Sequence, residues 1–529
     1  MLKSGWIQKL FSKHRLFVAG VFVFAAIAHL PYIAPGGPSA CYPNPLFLVI
    51  DEGTVLYDSF RITCGETIYR DFFQFHGPVF YYVYAGLFVV TGPSIGAARA
   101  LNLLITALTA TIIALLIGRI LGPIAGAGAA IVHTFLLIPM YPYASPHWLA
   151  EAFAFAGIYL LMTNHGSRSR ELCAGVCLGL CTATIQSLGL PILASCMVIL
   201  ALPGITTRGW RESCTRPLRV FGGFLLGIFP FILYLGAVGA LDQMWYDMVE
   251  WVLKHYPEGQ KDAAVQGFGA YLDTFLAMHR NVGQPWRGLA MIGLQFVKLL
   301  PGFAICGAIV ATVQTIINRW QRSMDYVHPM IAYAAIAGTA PLLLGITRFD
   351  IVHIAFVGSF GLCGVATTLK PIVTWRPRFR LAVAIAWSLV GILVVANFSA
   401  KTVMTYRSSR EMKGWREEIL KLGSASWIDT NLSQNERIVT AFGGLQYLYI
   451  RHGAIGFTYL PFDAPKYFSE DQWRKLGSQI LKALPPVIEV TKEQWLQVTQ
   501  RTPELMQHYR LYNIHNKYLL LREGFNLGK

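Results

Sequence analysis

Apolar stretches of about membrane length recur through the first 400 residues, and a charged, alternating pattern takes over after them. Stretches near 16–34, 97–117, 122–141, 148–163, 171–187, 189–204, 218–240, 296–317, 327–346, 352–369 and 380–398 read as eleven membrane helices. A helix needs about 20 apolar residues to cross a bilayer. The expected fold is a mainly α, polytopic transmembrane helix bundle with juxtamembrane helices over residues 1–400, and a C-terminal soluble α/β domain over 401–529. In that tail, 436–442, 454–460, 487–490 and 518–522 read as strands, and 443–451, 469–483 and 492–508 as helices. It has no G-x-G-x-x-G or P-loop pattern, so nothing argues for a nucleotide site.

One apolar stretch, 78–92, is only 15 residues long and holds three tyrosines. As a helix it spans about 22 Å, short of a hydrocarbon core of about 30 Å. If it lies along the membrane surface, the loops with Arg119, Arg168, Arg170, Arg208, Arg211, Arg216, Arg319, Arg322, Lys370, Arg376, Arg378 and Arg380 share one side with the basic N-terminus. The opposing short loops 142–147 and 187–189 carry no Lys or Arg, which is the positive-inside pattern. If it crosses, every later basic loop moves outside, so the surface placement is preferred. Regions 35–96, 241–295 and the tail then face outward. The expectation is a multi-pass protein of a bacterial inner (plasma) membrane, N-terminus cytoplasmic and tail periplasmic. Within 241–295, Leu241, Met244, Trp245, Met248, Val252 and His255 recur at helical spacing; the helix either lies on the bilayer or packs on protein.

Composition supports this picture. The 529 residues are 54% hydrophobic and 14% charged, with mean hydropathy +0.46. The net charge of +16 sits in short loops, so it reports topology and no nucleic-acid partner is expected. Most of the nine cysteines lie in apolar stretches. Cys173, Cys177 and Cys181 share a helix face, where packing explains them better than a metal does. Cys41 and Cys64 both fall in the first outer loop and could form a disulfide if that loop is periplasmic.

Polar residues gather on the outer side. The first loop carries Asp51 and Glu52 directly after an apolar run, then Tyr69-Arg70-Asp71-Phe72-Phe73-Gln74-Phe75-His76-Gly77-Pro78. The acidic pair could cap a surface helix from Gly53 to about Cys64, or serve catalysis. Ser145-Pro146-His147-Trp148 joins the third and fourth spans, and Arg348-Phe349-Asp350-Ile351-Val352-His353 the ninth and tenth. Arg348 and His353 could hold a phosphate, with Asp350 orienting one of them. Span ends on this side also carry Arg99, Glu151 and Lys298. The spans otherwise lack the midplane charges expected of an ion-coupled transporter.

An Asp-Glu pair after the first span, then Tyr-Arg-Asp-Phe-Phe, a Gly-Pro turn and an aromatic interfacial segment resembles the GT-C membrane glycosyltransferases. That family includes the protein O-mannosyltransferases and the aminoarabinose transferase acting on lipid A. The RFDIVH stretch is similar to the Arg-x-Asp-x-x-His of some bacterial members, and the resemblance covers roughly 10–370. It implies sugar transfer from a polyprenyl-phosphate donor, without a nucleotide sugar. Asp51 matches the family's catalytic aspartate, and Asp71 is a candidate second acid. Where many members have an acid and a lysine before two prolines, this chain has Phe75 and His76 before Gly77-Pro78. His76 therefore joins His147, His353, Arg348 and Asp350 as a candidate phosphate-binding group, beside the candidate catalytic acids Asp51, Glu52 and Asp71. No cofactor is implied; a divalent metal is compatible but has no ligand set in the sequence.

The chemistry stands on its own terms. A base, Asp51, takes a proton from the acceptor hydroxyl. Positive charge meets the departing phosphate. Single displacement inverts the anomeric centre, whereas hydrolysis would need two placed carboxylates. The acceptor is a lipid, glycan or protein of the cell envelope. Two other classes stay open: a lipid or glycan flippase, and a non-catalytic envelope assembly protein.

Overall fold

The computed structural model describes residues 4–33, 45–163, 167–202, 210–255, 284–320, 327–344, 351–375, 438–440, 470–490, 492–514 and 517–523. Its helices are α1 (Ser4–His29), α2 (Pro45–Thr63), α3 (Val79–Thr91), α4 (Ile95–Leu121), α5 (Pro123–Val132), α6 (Pro146–Thr163), α7 (Arg168–Thr182), α8 (Gln186–Ala201) and α9 (Trp210–Ala237). They continue as α10 (Leu241–Trp245), α11 (Trp251–Lys254), α12 (Gln284–Trp320), α13 (Val327–Leu343) and α14 (Ile351–Trp375). Helix thus covers ten of the eleven apolar stretches; 380–398 lies outside the described residues. Among the described residues, five helices are long and apolar enough to cross a membrane: Ile95–Leu121, Pro123–Met140, Ser213–Ala237, Phe296–Ile317 and Ile351–Thr374.

Local chemistry sets several boundaries. The Ser94 hydroxyl accepts the Ala97 amide (3.3 Å) and opens α4. Gly122, at φ 101°, closes it, and Pro123 begins α5 without needing an amide donor. The α5 rod runs on through a π turn (His133–Leu137) and a 3-10 turn (Ile138–Met140). Helices α7 and α9 pack backbone to backbone: a Cβ on Gly175 would sit 2.0 Å from the Val220 carbonyl, and one on Gly223 2.0 Å from that of Leu172. Small residues at i, i+4 on both helices allow this approach. The cysteine stripe runs along α7 from exposed Cys173 to buried Cys181. Cys41 lies outside the described residues.

Two expectations need correction. Asp51 and Glu52 do not cap a helix starting at Gly53; they lie in the second turn of α2, which begins six residues earlier at Pro45. Proline at a first position suits a helix start, and the apolar run 45–50 continues into the polar stretch as one helix. In the tail, the helix expected over 492–508 stops at Arg501, because Pro503 has no amide to donate.

Helix α3 packs between the α7–α8 turn, α2 and α4. At its start, the Gly77 and Val79 amides donate to Thr184 and Ala183 in the α7–α8 turn. At its far end the chain enters α4, whose Arg99 touches Tyr143. Val79, Phe80, Tyr81, Tyr84, Ala85 and Phe88 form its buried face, while Val89 and Val90 stay exposed.

The tail holds β1 (Ile438–Thr440), α15 (Glu470–Ala483), β2 (Val487–Val490), α16 (Lys492–Arg501), β3 (Tyr509–Ile514) and β4 (Lys517–Arg522). The sheet order is β1-β2-β4-β3, with β1 parallel to β2 and the other pairings antiparallel. Strand β3 was not expected from the sequence. The expected elements 443–451 and 454–460 lie outside the described residues. A core of Trp473, Leu476, Ile480, Ile488 and Leu520 also takes in Phe73 and Trp251, so the tail's core closes over the segment before α3 and the 241–254 helix. Trp251 seats the 241–254 helix on protein, and Trp245 and Leu253 point away.

Candidate functional site

The segment between α2 and α3 is held by its own polar residues. Arg61 reaches from α2 to Glu66 (2.5 Å) and to the Asp71 carbonyl (3.3 Å), and lies over the Phe72 ring. Asp71 accepts from the Thr67 amide (2.7 Å) and from Arg70 (2.7 and 3.0 Å). Burial raises the pKa of Asp71, but Arg70 and the Thr67 amide outweigh it and hold the carboxyl below its usual range. Tyr69, fully buried, sits at φ 70°, a region costly for a bulky residue. Its hydroxyl donates to the His76 carbonyl (2.8 Å).

Three further bonds fix residues 75–79 against the α7–α8 turn. Gln186 Nε2 donates to the Phe75 carbonyl (3.1 Å), the Gly77 amide to Thr184 (3.0 Å) and the Val79 amide to Ala183 (3.1 Å). Gly77 is needed here, since its Cβ would lie 2.2 Å from the Ala183 carbonyl oxygen.

This frame aims His76 at two histidines from distant parts of the chain. Its ring centroid is 5.7 Å from that of His147, in the first turn of α6. His147 is 5.9 Å from His353, in the first turn of α14, and stacks flat on Phe356 (4.2 Å, 7°). The Ser145 hydroxyl accepts the His147 amide (3.2 Å) and lies 3.3 Å from its Nδ1. His76 Nδ1 is enclosed and has no hydrogen-bond partner among the described residues. Burial, helped by nearby His353, lowers His76 to about 4, so the ring is neutral near pH 7. Arg348 and Asp350 lie outside the described residues.

Glu52 and Asp51 have different settings. Glu52 is fully buried and takes three hydrogen bonds from Arg99 (3.1, 3.1 and 2.6 Å) and one from the Ala144 amide (3.2 Å). Arg99 also lies 4.5 Å over the Tyr143 ring. This pair latches α2 to α4 and to the loop that delivers His147. Asp51, one residue earlier on α2, is exposed. Asp71 engages Arg61, ten residues further along α2 than Asp51. The sequence showed Arg99 only as a span-end charge; its place in the second turn of an apolar helix was the available signal of a buried partner.

A second polar group lies beneath the histidines. His133 Nδ1 is 2.8 Å from the Ser359 hydroxyl. Glu151 lies beside Ser359 with both carboxyl oxygens enclosed, and His29 faces His133. Among the described residues no three His, Cys, Asp or Glu are arranged to hold a metal ion. Glu52 and Asp71 are paired with Arg99 and Arg70.

The fold that carries this site is similar to that of solved ArnT and archaeal oligosaccharyltransferase structures. Two structures of ArnT from Cupriavidus metallidurans match it. The one bound to undecaprenyl phosphate has a TM-score of 0.58 and 13% identity, over 97% of this chain and 99% of that one. The apo form has 0.54 and 14%, over 95% and 97%. The Archaeoglobus fulgidus oligosaccharyltransferase, in complex with Zn and sulfate, has 0.52 and 13%, over 95% of this chain and 73% of its own. Identities this low speak for the fold alone. No protein-family model matches the chain, and no curated protein matches it in sequence.

Proposed function

We propose that this protein transfers a sugar from a polyprenyl-phosphate donor to an acceptor hydroxyl, at the extracytoplasmic end of its helix bundle and with inversion. The acceptor is a lipid, glycan or protein of the cell envelope. The observation that carries the reading is the enclosed, unpartnered Nδ1 of His76, on a ring that lies against His147, which in turn lies against His353. A buried ring nitrogen without a partner is costly and invites one. The fold lends support, since one solved relative in fold binds undecaprenyl phosphate and another, archaeal AglB (TM-score 0.51, 12% identity), was solved with an inhibitory peptide and a dolichol-phosphate.

In this reading Asp51, exposed on α2, takes the proton of the acceptor hydroxyl. The hydroxyl oxygen attacks the anomeric carbon from the face opposite the phosphate. The bond from that carbon to the phosphate oxygen breaks, and its electron pair leaves with the polyprenyl phosphate. His76, His147 and His353 donate hydrogen bonds to that phosphate and Arg348 supplies positive charge, with Asp350 orienting Arg348 or His353. Glu52 keeps α2 in place through Arg99, and so holds Asp51 at a set distance from the histidines. The short α3 rests on the lipid surface, about 20 Å long against a core of about 30 Å.

The test is incubation of purified protein with a panel of polyprenyl-phosphate sugars and acceptor extracts, measuring released polyprenyl phosphate. Asp51→Asn is expected to lose activity by more than about 100-fold while folding normally, because Asp51 is exposed. Wild type that consumes no donor in the panel sinks the reading. A second reading, translocation of a lipid-linked group, draws on the buried Glu151, Ser359 and His133. It separates in the same assay, since transport alone frees no polyprenyl phosphate.

A further inference from the structure

The C-terminal domain reaches the histidine cluster through an unbroken column of aromatic rings. On α15, Gln472 accepts a hydrogen bond from the indole Nε1 of Trp251 (3.1 Å). The Trp251 ring meets Phe73 edge-on (4.8 Å, 68°) and stacks on Phe75 (5.5 Å, 28°). Phe75 lies on His76 (4.3 Å, 39°), and His76 stands edge-on to His147 (5.7 Å, 82°). The column crosses four segments of chain: the tail, the 241–254 helix, the loop before α3, and α6.

Trp251 takes its position from the tail. It is buried in the core that Trp473, Leu476, Ile480, Ile488 and Leu520 build. A parallel tie supports it: Asp247, one turn earlier, accepts from the Gln74 amide (3.4 Å) and attracts Lys475 of α15. At the other end, the His76 backbone is fixed by hydrogen bonds, but its ring is not, because Nδ1 has no partner among the described residues. The Phe75 face is what turns that ring toward His147. The titratable groups facing His76 among the described residues are His147 from α6 and His353 from α14, with Tyr69 at its carbonyl.

We propose that Trp251 is a positioning residue of the phosphate site: seated in the core of the C-terminal domain, it holds Phe75, and through Phe75 it sets the ring of His76. The domain is thereby part of the machinery that orients the donor. The catalytic consequence rests on His76 being a phosphate ligand; the positioning does not.

The test uses the full-length protein with Trp251→Leu, Trp251→Phe and Gln472→Leu. Trp251→Leu removes the flat surface under Phe75, Trp251→Phe keeps a ring, and Gln472→Leu removes the hydrogen bond to the indole while leaving the Trp251 ring in place. The first readout is the titration midpoint of His76 without substrate, by NMR of isotope-labelled histidine, with His76→Gln identifying the resonance. The second is kcat and KM with a polyprenyl-phosphate sugar, beside the melting temperature. In Trp251→Leu the midpoint is expected to rise from about 4 toward the ordinary value, and kcat to fall by about 10- to 100-fold. Trp251→Phe restores most of both. A Trp251→Leu protein that melts like wild type with an unmoved midpoint overturns the positioning. So does a Trp251→Phe variant as impaired as Trp251→Leu, since the column would then be packing alone. If Trp251→Leu fails to fold, Gln472→Leu carries the test: its midpoint and kcat must move the same way by a smaller amount, and unmoved values overturn the proposal. A midpoint that shifts while kcat stays constant overturns the catalytic consequence, and with it the reading of His76 as a phosphate ligand.

Discussion

Replacing Arg99 with methionine leaves a carboxylate sealed in the protein without its counter-charge. The Glu52 side chain is 0% exposed and that of Arg99 2%. Three charge-assisted hydrogen bonds that join them are lost in the change, while the Ala144 amide still donates to Glu52. Methionine fills much of the arginine stem's space, so the loss is chiefly electrostatic. Removing one partner of a buried pair costs about 3–5 kcal/mol. The cost falls on the joint between α2, α4 and the 141–147 loop, so it also displaces Asp51 relative to His147. A misplacement of about 1 Å lowers a rate on the order of 100-fold. Unfolding in detergent by denaturant, run as a double-mutant cycle, measures the pair. Arg99→Met should lose about 3–5 kcal/mol, and the double variant with Glu52→Gln should regain about 2 kcal/mol of it. A loss below about 1 kcal/mol, the level of an exposed pair, would refute the reasoning. So would strictly additive losses, which would mean that the two side chains do not sense one another.

Two other outcomes test the frame around His76. Gly77→Ala forces a Cβ against the Ala183 carbonyl, which cannot rotate away. The 75–79 segment must withdraw, at about 1–3 kcal/mol, and kcat should fall more than stability does; wild-type kinetics in this variant would show that the close approach is dispensable. For pH, His76 titrates near 4 when folded and near about 6.5 in an unfolded chain. Between those values the unfolded state binds more protons, so the contribution is whole above about 6.5 and is lost as the pH falls through the folded value. Denaturation midpoints from about pH 7 to about pH 4.5 should therefore fall more steeply in wild type than in His76→Gln; parallel profiles would contradict the burial of that ring.

The chain alone determined the elements whose signal is local. Apolar runs must leave water, so among the described residues ten helices stand where apolar stretches occur. The amphipathic pattern of 469–483 and the alternation at 487–490 and 518–522 likewise reached the structure as α15, β2 and β4. The candidate histidines were legible one at a time, as polar residues at the ends of apolar runs. Local pattern misled where a boundary depended on one residue's backbone, as at Pro45 and Pro503. Only the tertiary structure decided who meets whom. Glu52 and Asp51 are neighbours in sequence, yet one faces Arg99 inside the bundle and the other faces outward, because successive helix positions differ by about 100°. His76, His147 and His353 come together, and Trp251 stacks on Phe75 next to the first of them, through packing between segments far apart in the chain. Such contacts follow from how apolar faces fit in three dimensions, and no periodicity along a single chain encodes them.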